Sequence, residues 1–586
     1  MCHGWRWGEC PYKLQCSSPH CTPTRNMTDY EAATAFLGEW GPFQLQVFFL
    51  LCLIILLHGL TVLSFVFFSD TPRHRCIIPT HSNLTAAWRN ISIPLEEDSQ
   101  TGDLVPSKCS RYKLDLIQNF SDRGLIPGVD VNLSNVQQEC CLDGWEYDHS
   151  IYISTTVSEW DLVCDESWKV PLTSSLFYCG IFIGALISGQ LSDRYGRKPV
   201  LFGFMAGQSV FYLIQAFAPS WPVFCFLYFI VGFGQTSKYM ISFVLGTEIL
   251  NTQAQKVFST AGTCLFFSLG YMLLPLFAFL IRDWRMLLLG LMLPTFPSLL
   301  CWWFIPESPR WLVSQGRREE AEDILRSAAK KNKVEAPLTI FSPLQTNLQT
   351  EEKQANNICD LCSSSNISWI SVTLWLIWGS VALSYYGLSL NTSNLHGNIF
   401  FNCFMSALVE IPADILSWIM FRWCSRRLTL SATITMSGLF LFIIQLIPAS
   451  LISLAIALEM MGKFAMTTAF SILCAYTVEL YPTVLRTTAV GACCMASRIG
   501  SIAAPYIIFL RNYSVSLPYI LIGSLTVLSG LLTLLLPETF GMPLLETISH
   551  MQQFPSCSKK RPYKTTQTTD DEEMSSVSKK ENTTLS

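Results

Sequence analysis

The sequence predicts an all-α membrane protein of twelve transmembrane helices arranged in two six-helix halves. Of its 586 residues, 50% are hydrophobic and only 14% are charged, whereas soluble domains carry about 25% charged residues. The chain also contains about twelve apolar runs, each long enough to cross roughly 30 Å of hydrocarbon as a helix. The alternation of polar and apolar residues that marks a membrane β-barrel is absent from the sequence.

The apolar runs divide into two groups of six, with a polar segment between them. The first run contains no Asp, Glu, Lys or Arg, and the others have similar lengths. Runs of this length span a bilayer as helices with some tilt. Helices are therefore predicted at 43–68, 170–191, 199–217, 222–245, 257–281, 286–305, 369–390, 400–421, 428–447, 451–477, 489–510 and 516–536.

The limits of these runs predict five regions. The C-terminal tail is rich in Lys, Thr, Ser and Glu, a composition that buries too little apolar surface to fold. The regions are a cytoplasmic N-terminus (1–42), an N-terminal six-helix half (43–305) that includes a large extracellular loop (69–168), a central cytoplasmic loop (306–368), a C-terminal six-helix half (369–537) and a largely disordered cytoplasmic tail (538–586).

Basic residues in the short loops predict the orientation, because cytoplasmic loops carry an excess of Lys and Arg. Alternate loops are basic, which places both termini in the cytoplasm and the large loop outside the cell. Arg282 and Arg285, in an outer loop, do not follow this rule, although Asp283 lies between them. The basic loop residues are Arg194, Arg197, Lys198, Arg310, Arg317, Arg318, Arg422, Arg426, Arg427 and Arg486.

The large loop has the composition of a glycosylated, disulfide-bonded domain. Its four clustered sequons are typical of a glycosylated extracellular segment, and an oxidising compartment favours disulfides between its cysteines. The number of cysteines is odd, so one is left over, and spacing alone leaves the pairing open. The sequons begin at Asn83, Asn90, Asn119 and Asn132, and the cysteines are Cys76, Cys109, Cys140, Cys141 and Cys164.

The sequence SGQLSDRYGRKPV lies between the second and third apolar runs. Gly196 allows a tight turn. Asp193 can face the N-terminus of a neighbouring helix or an arginine, while Arg194 and Arg197 are placed to reach acidic groups across the cytoplasmic mouth. Such a cluster would hold a gate shut and would have to break during transport. The alternative is simple positive-inside anchoring. A similar loop, RWCSRRL, recurs at 422–428 in the second half, as expected of the internal repeats of transporters.

Ionisable residues inside membrane helices are costly and mark functional sites. Six occur here, three of each sign: Lys238, Glu410, Asp414, Glu459, Lys463 and Arg498. Glu459 and Lys463 are four residues apart on one predicted helix, a spacing that favours a structural ion pair. Arg498 offers a guanidinium fork that matches a carboxylate, so it is predicted to bind a substrate; a structural ion pair with Glu410 is the alternative.

Several motifs carry a resemblance to a known family. The motif around Asp193 resembles the loop signature of the major facilitator superfamily, and PESPRWL (306–312) and ELYPTVLR (479–486) resemble its organic ion transporter family. CLDGWEYD, FVLGTEIL and NLHGNIF are similar to the carnitine and organic cation subfamily, and the resemblance extends from about 27 to about 552. It implies a twelve-helix transporter with a central cavity for organic cations or zwitterions such as carnitine or ergothioneine.

The resemblance also implies roles for individual residues. Glu307, Arg310, Glu479 and Arg486 would take part in gating. Arg498 would bind a substrate carboxylate and Glu410 a substrate ammonium, with cation–π contacts from tyrosines, although core packing explains each tyrosine equally well. The tyrosines are Tyr239, Tyr385 and Tyr476. The resemblance further implies two disulfides among Cys76, Cys109, Cys141 and Cys164, with Cys140 left free.

Departures from the subfamily bear on the coupling ion. His58 and Lys238 stand where sodium-coupled relatives carry asparagines; Gln235 remains. An ammonium offers three donors and no acceptor for a metal ion, so sodium-independent transport is expected. Lys238 would instead pair with Asp414, the other charge that close relatives lack. GTEILNTQ (246–253) lacks the second Gly, the Lys and the Ser of a phosphate-binding loop, so no cofactor is expected.

The expected function is therefore secondary transport of small organic cations or zwitterions across the plasma membrane, by alternating access and without sodium. One alternative is a sodium-coupled carnitine symporter, and another is a non-transporting receptor or scaffold with the same fold. An enzyme is not expected, because the sequence shows no metal cluster and no pair of nucleophile and base. A nucleic-acid partner is not expected either, because no basic stripe is present.

Overall fold

A computed structural model describes residues 29–541 with the exception of 81, 83, 98–103, 339, 342–364, 396, 449–450 and 483–484. The described part is mostly helical, as the sequence predicts. The sequon at Asn83, most of the tail and most of the N-terminal segment lie outside the described residues.

Eleven helices in the described part are long and apolar enough to cross a membrane. A twelfth, Trp221–Ile249, has 29 residues, and the polar run Gln235–Lys238 makes it less apolar. The twelve are α1 (Pro42–Phe68), α2 (Lys169–Tyr195), α3 (Arg197–Ala216), α4 (Trp221–Ile249), α5 (Thr252–Leu280), α6 (Trp284–Trp303), α7 (Ser365–Leu390), α8 (Ile399–Trp423), α9 (Arg426–Ile444), α10 (Ile452–Leu480), α11 (Arg486–Phe509) and α12 (Ser516–Thr533).

The helix contacts of the first half recur in the second half, six helices later. α1 packs on α5 as α7 packs on α11, and α2 packs on α4 as α8 packs on α10. In the same way, the α3–α4 and α3–α6 contacts recur as α9–α10 and α9–α12. The chain is therefore built from two copies of one six-helix arrangement, each with its own hydrophobic core. A further apolar cluster joins first-half residues to Leu390, Cys403 and Ala407 of the second half.

Glycines allow helices within a half to approach closely. A Cβ atom on Gly180 of α2 would lie 2.1 Å from the carbonyl oxygen of Phe229 on α4. In the second half, a Cβ atom on Gly500 of α11 would lie 2.0 Å from the carbonyl oxygen of Gly379 on α7. Backbone contact through small residues is a principal means of holding helices together in a bilayer.

The large loop between α1 and α2 forms a small domain with three antiparallel two-stranded ladders. Disulfides join Cys76 to Cys141 and Cys109 to Cys164, and Cys140 is a free thiol. These are the four cysteines that the family resemblance implied. The ladders pair β1 (His74–Cys76) with β6 (Trp145–Tyr147), β2 (Leu95–Glu97) with β3 (Leu104–Pro106), and β4 (Ser110–Tyr112) with β5 (Gln138–Cys140).

The loop domain is attached to the bundle by the two arginines that break the orientation rule. Glu159 of the loop forms an ion pair with Arg285 and accepts a 2.7 Å hydrogen bond from Trp284 Nε1. Arg282 Nη1 donates to the Ser150 carbonyl oxygen at 3.4 Å. Both arginines thus bind the loop, which is a structural reason for positive charge on this side of the bundle.

Two shorter helices, Pro309–Ser314 and Arg318–Asn332, follow α6, and a third, Asp29–Thr34, precedes α1. Asn332 accepts a 2.9 Å hydrogen bond from the Phe43 amide at the start of α1. It also donates to the carbonyl oxygen of Leu37 at 3.2 Å. The helical segment after the first half therefore packs against the N-terminal end of α1.

The close packing at Gly180 predicts that Gly180→Val prevents correct folding, because the new side chain would displace α4 from α2. Gly203→Val on α3 is the matched control, because a Cβ atom there meets no atom within 4 Å. Surface biotinylation of cells that express each variant would test this. Less than about a tenth of the parent amount is expected for Gly180→Val; equal amounts of the two variants would show that this contact is dispensable.

Candidate substrate cavity and gates

The loop between α2 and α3 forms a compact ionic cluster. Arg197 binds Glu248 at the end of α4 through two hydrogen bonds, of 3.0 and 3.1 Å, and binds Asp193 at 2.8 Å. Glu307, just after α6, accepts hydrogen bonds from the backbone amides of Arg197 and Lys198. Burial raises the pKa of Glu307, and these backbone hydrogen bonds act in the opposite direction.

The second half repeats this cluster. Arg426 at the start of α9 binds Glu479 at the end of α10, with the closest atoms 3.3 Å apart. Glu538, just after α12, accepts hydrogen bonds from the amides of Arg426 at 2.8 Å and Arg427 at 3.2 Å. Arg426, Glu479 and Glu538 thus correspond to Arg197, Glu248 and Glu307.

Each cluster lies within one half, and this corrects the prediction that Arg194 and Arg197 reach acids across the mouth. The other predicted gating residues lie outside both clusters. Arg194 is exposed and lies over the Tyr195 ring at 5.5 Å, Arg310 lies over Tyr30 at 5.9 Å, and Arg486 donates to the Tyr481 carbonyl oxygen at 3.4 Å. The clusters therefore stiffen each half.

Contacts between the halves are concentrated at the end that bears the large loop. Phe67 of α1 stacks on Phe400 of α8 with ring centroids 5.6 Å apart, and Tyr152 of the loop packs on the same ring. Ser175 of α2 donates a 2.8 Å hydrogen bond to the Ile502 carbonyl oxygen on α11. The bundle is therefore closed on the loop side.

The central region between the halves is accessible, in contrast to the loop side. Cys474 of α10 is exposed. It is also close enough to Cys264 on α5 and Cys494 on α11 for their charges to interact. Asp414 of α8 is half-buried, and its Oδ1 accepts a 2.6 Å hydrogen bond from Ser471. An exposed thiol beside side chains of α5 and α11 indicates an accessible cavity between the halves at this level.

Glu410 is fully engaged at the edge of this cavity. Lys463 Nζ lies 3.1 Å from Glu410 Oε1, and both side chains are buried. Tyr385 donates a 2.6 Å hydrogen bond to Glu410, and Lys463 Nζ lies 3.5 Å from the centroid of the Tyr385 ring. Ser268 on α5 donates to the other carboxylate oxygen at 3.4 Å. Glu410 is thus neutralised internally and does not pair with Arg498.

Arg498 has no acidic partner among the described residues. Its Nη1 donates to the Tyr386 hydroxyl at 3.3 Å, and its buried Nε has no hydrogen-bond partner in that part of the chain. Tyr178 packs edge-on against Tyr386, with centroids 5.1 Å apart. Tyr239 and His58, which stack on each other at 4.9 Å, lie within electrostatic range of Arg498. The guanidinium therefore faces an aromatic site that lacks an anion.

The predicted pairing of Glu459 with Lys463 is wrong. Glu459 accepts hydrogen bonds from Asn391 at 2.8 Å and from Tyr519 at 2.9 Å. Lys463 binds Glu410 and Ser389 instead. The helical spacing places both side chains near each other, but partners on neighbouring helices satisfy each of them.

The prediction that Tyr476 lines the cavity is also corrected. Tyr476 is completely buried in the core of the second half, and its hydroxyl donates to the carbonyl oxygen of Pro537 beside the Glu538 cluster. Tyr385 reaches the centre of the bundle, but its hydroxyl is hydrogen-bonded to Glu410. Of the three predicted tyrosines, Tyr239 alone lies beside Arg498.

Gln235 and Lys238 lie in a buried polar pocket of the first half. Gln235 Nε2 donates to the His58 carbonyl oxygen at 2.9 Å and to Thr61 at 2.8 Å, and its Oε1 accepts from Gln208. Lys238 Nζ has no partner within the described residues. The expected pair of Lys238 with Asp414 is not formed.

Sequence reasoning missed Glu248, Arg426, Glu538, Tyr386 and Tyr178. A signal was present for the second cluster, because Pro-Glu-Ser at 306–308 recurs as Pro-Glu-Thr at 537–539, each just after the last helix of a half. No comparable pattern marks Tyr178 or Tyr386, which come together from different halves of the chain.

The Arg197 cluster predicts that Arg197→Lys lowers uptake by tenfold or more, because lysine cannot form the paired hydrogen bonds to Glu248. Arg194→Lys is the matched control, because Arg194 lies outside the cluster. Initial uptake rates, divided by the amount of protein at the cell surface, would test this. Equal rates for the two variants would show that the cluster has no role in the transport cycle.

Comparison with known proteins identifies the group to which the chain belongs. Residues 118–551 match the family described as sugar (and other) transporter. The chain is 51% identical to the organic cation/carnitine transporter 2 of Homo sapiens over 529 residues, which cover 90% of this chain and 94% of that protein. It is also 51% identical to solute carrier family 22 member 4 of Mus musculus over 528 residues, with 90% and 95% covered.

Solved structures support the same fold. The partially occluded inward-open form of the xylose transporter XylE from E. coli matches with a TM-score of 0.54 and 15% identity over 86% of this chain and 100% of that chain. The same transporter, a major facilitator protein, bound to 6-bromo-6-deoxy-D-glucose gives a TM-score of 0.52 and 14% identity over 87% and 98%. The expected fold is thereby confirmed, and the chain belongs to the sugar (and other) transporter family, within its group of organic cation/carnitine transporters, and is not an enzyme.

Proposed function

We propose that the protein is a plasma-membrane secondary transporter of small zwitterions or organic cations of the carnitine or ergothioneine type, working by alternating access without sodium. Relatives at 51% identity bear the name organic cation/carnitine transporter. The observation that carries the proposal is Arg498, a cation beside the central cavity without an acidic partner in the described chain. A non-transporting scaffold has no use for such a costly group.

The carboxylate of a zwitterion would complete the surroundings of Arg498. Within the described chain, its guanidinium donates to one neutral group, the Tyr386 hydroxyl, at 3.3 Å. A carboxylate accepts two parallel hydrogen bonds from a guanidinium, and such charge-assisted pairs are roughly twice as strong as neutral ones. Glu410 does not compete for this position, because Lys463 holds it at 3.1 Å.

The ammonium group of the zwitterion would face Asp414. Glu410, the acid expected from the sequence to bind it, is already paired with Lys463. Asp414 is half-buried and binds Ser471. Cys264 lies within electrostatic range of Asp414 and also of Tyr239, which links the acid to the aromatic side of the cavity. Aromatic faces hold methylated ammonium groups by cation–π contact. The cavity thus offers an acid and an arginine for the two ends of one zwitterion.

Sodium independence is supported by the environment of Lys238. A sodium ion needs oxygen ligands, and Lys238 contributes donors only. The nearby Gln235 side chain already binds His58, Thr61 and Gln208. A buried ammonium would also repel a second cation in a medium that screens charge poorly. Sodium-coupled symport of carnitine is the competing candidate.

The proposal includes an orientation in the membrane. Both termini are cytoplasmic, the large loop is outside the cell and the helices are surrounded by lipid. The sequon residues Asn90, Asn119 and Asn132 are exposed on the loop domain, as glycosylation requires. The two disulfides in this domain fit an extracellular compartment.

Uptake into cells that express the protein at their surface would test the proposed function. Labelled carnitine, ergothioneine and tetraethylammonium are the probes, each measured in sodium medium and in medium with N-methylglucamine in its place. Uptake of at least one zwitterion, changed less than about twofold by sodium removal, is expected. A steep, saturable loss without sodium would favour the symporter, and no uptake of any probe would favour the scaffold.

Arg498→Ala is expected to lower the affinity for a carboxylate-bearing zwitterion roughly a hundredfold, because a charge-assisted, desolvated contact of a few kcal/mol is lost. Uptake of a cation without a carboxylate should fall far less. Arg422→Ala is the matched control, because Arg422 is exposed and lies over the Trp423 ring at 5.9 Å. Saturation kinetics on surface-normalised cells would measure both. An unchanged KM for the zwitterion in Arg498→Ala would contradict this assignment.

A further inference from the structure

A polar pocket is enclosed between α1, α3 and α4 of the first half. Its side chains come from all three helices, and each is buried: His58, Gln208, Gln235, Lys238 and Ser242. The two amides bind each other, and Gln235 fastens α4 to α1 through Thr61 and the His58 carbonyl oxygen. These hydrogen bonds fix the polar side chains relative to one another within the first half.

Lys238 is the exceptional member of this pocket. It has no exposed surface, and its Nζ forms no hydrogen bond or ion pair with any described residue. Two acids of the membrane helices, Glu410 and Asp414, have other partners, Lys463 and Ser471. A buried ammonium without a counter-charge is among the most costly arrangements in a protein.

Ser242 adds a second unused donor at the same place. It lies one helical turn beyond Lys238 on α4, so the two side chains share a face of the helix. Ser242 has no exposed surface, and its hydroxyl has no partner in the described part of the chain. His58, on α1, lies within electrostatic range of Lys238. Two buried donors without partners thus lie on one face of α4. Gln208 Oε1 is an unpartnered acceptor in the same cluster, but it is neutral and supplies no counter-charge.

We propose that Lys238 and Ser242 bind a small inorganic anion such as chloride inside the first half. One ammonium neutralises one negative charge, so a monovalent ion fits and a phosphate or sulfate would remain uncompensated. Lys238 is completely buried beside the hydrogen-bonded Gln235 side chain. A compact ion can reach it with less displacement of these side chains than an organic substrate would need. The ion supplies the counter-charge that no described residue provides there.

Anion binding is testable on the purified full-length protein in detergent without any substrate, so the outcome is independent of the proposed transport. Thermal unfolding would be followed while potassium gluconate is replaced stepwise by potassium chloride at constant ionic strength. A ligand that binds only the folded state raises Tm, and a saturable rise of about 3 °C is expected. Unfolding at the same temperature in both salts would overturn the proposal.

Variants would show that the effect arises at this pocket. Lys238→Gln should abolish the response to chloride, whereas Lys256→Gln, which removes an exposed lysine, should retain it. A chloride response that persists in Lys238→Gln would refute the site. Should Lys238→Gln fail to fold, Ser242→Ala should raise the chloride concentration at half-effect about threefold to tenfold, the cost of one hydrogen bond. An unchanged midpoint in that variant would exclude Ser242 and contradict the proposal.

Discussion

The ion pair between Lys463 and Glu410 is the interaction on which the centre of the bundle depends. An ionised side chain at this depth is costly unless it is paired, and here the two charges neutralise each other at 3.1 Å with Tyr385 bound to both. Ser268 of the first half also reaches the carboxylate, so the pair joins the halves. Because Glu410 is satisfied in this way, Arg498 is left as the cation that faces the cavity.

The two arginine–glutamate clusters perform the same structural task in each half. The amides at the start of a helix lack partners within it, and a carboxylate there is favoured by the helix dipole. Glu307 binds the first amides of α3, and Glu538 binds those of α9. Each carboxylate lies just after the last helix of its half, so the cluster ties the third helix to the sixth. A half braced in this way can move as one body, which alternating access requires.

The helices, the two halves and the loop motif could be predicted from the sequence, because apolar length and glycine-rich turns are local properties. The partners of the buried charges could not. Glu459 and Lys463 have a spacing that favours a pair, yet Tyr519 and Glu410, on other helices, bind them instead. Tyr476 is a tyrosine like those of the cavity, but it is buried in the second half, and its hydroxyl binds the Pro537 carbonyl oxygen just after α12. Such choices depend on which helices become neighbours, and residue spacing within one helix does not determine that.

Two cations inside the membrane helices, Lys238 and Arg498, have no acidic partner among the described residues. They differ in the half they belong to and in their access to water. Lys238 is enclosed within the first half, so its surroundings move with it and its counter-charge need not change as the halves reorient. Arg498 lies beside the cavity, where the surroundings do change. In the proposed function, closing an empty cavity would leave the guanidinium without an anion in a poorly screening medium, whereas a bound carboxylate neutralises it in every state. The loaded protein therefore reorients at lower cost than the empty one, and the substrate itself supplies the charge that lets the cavity close.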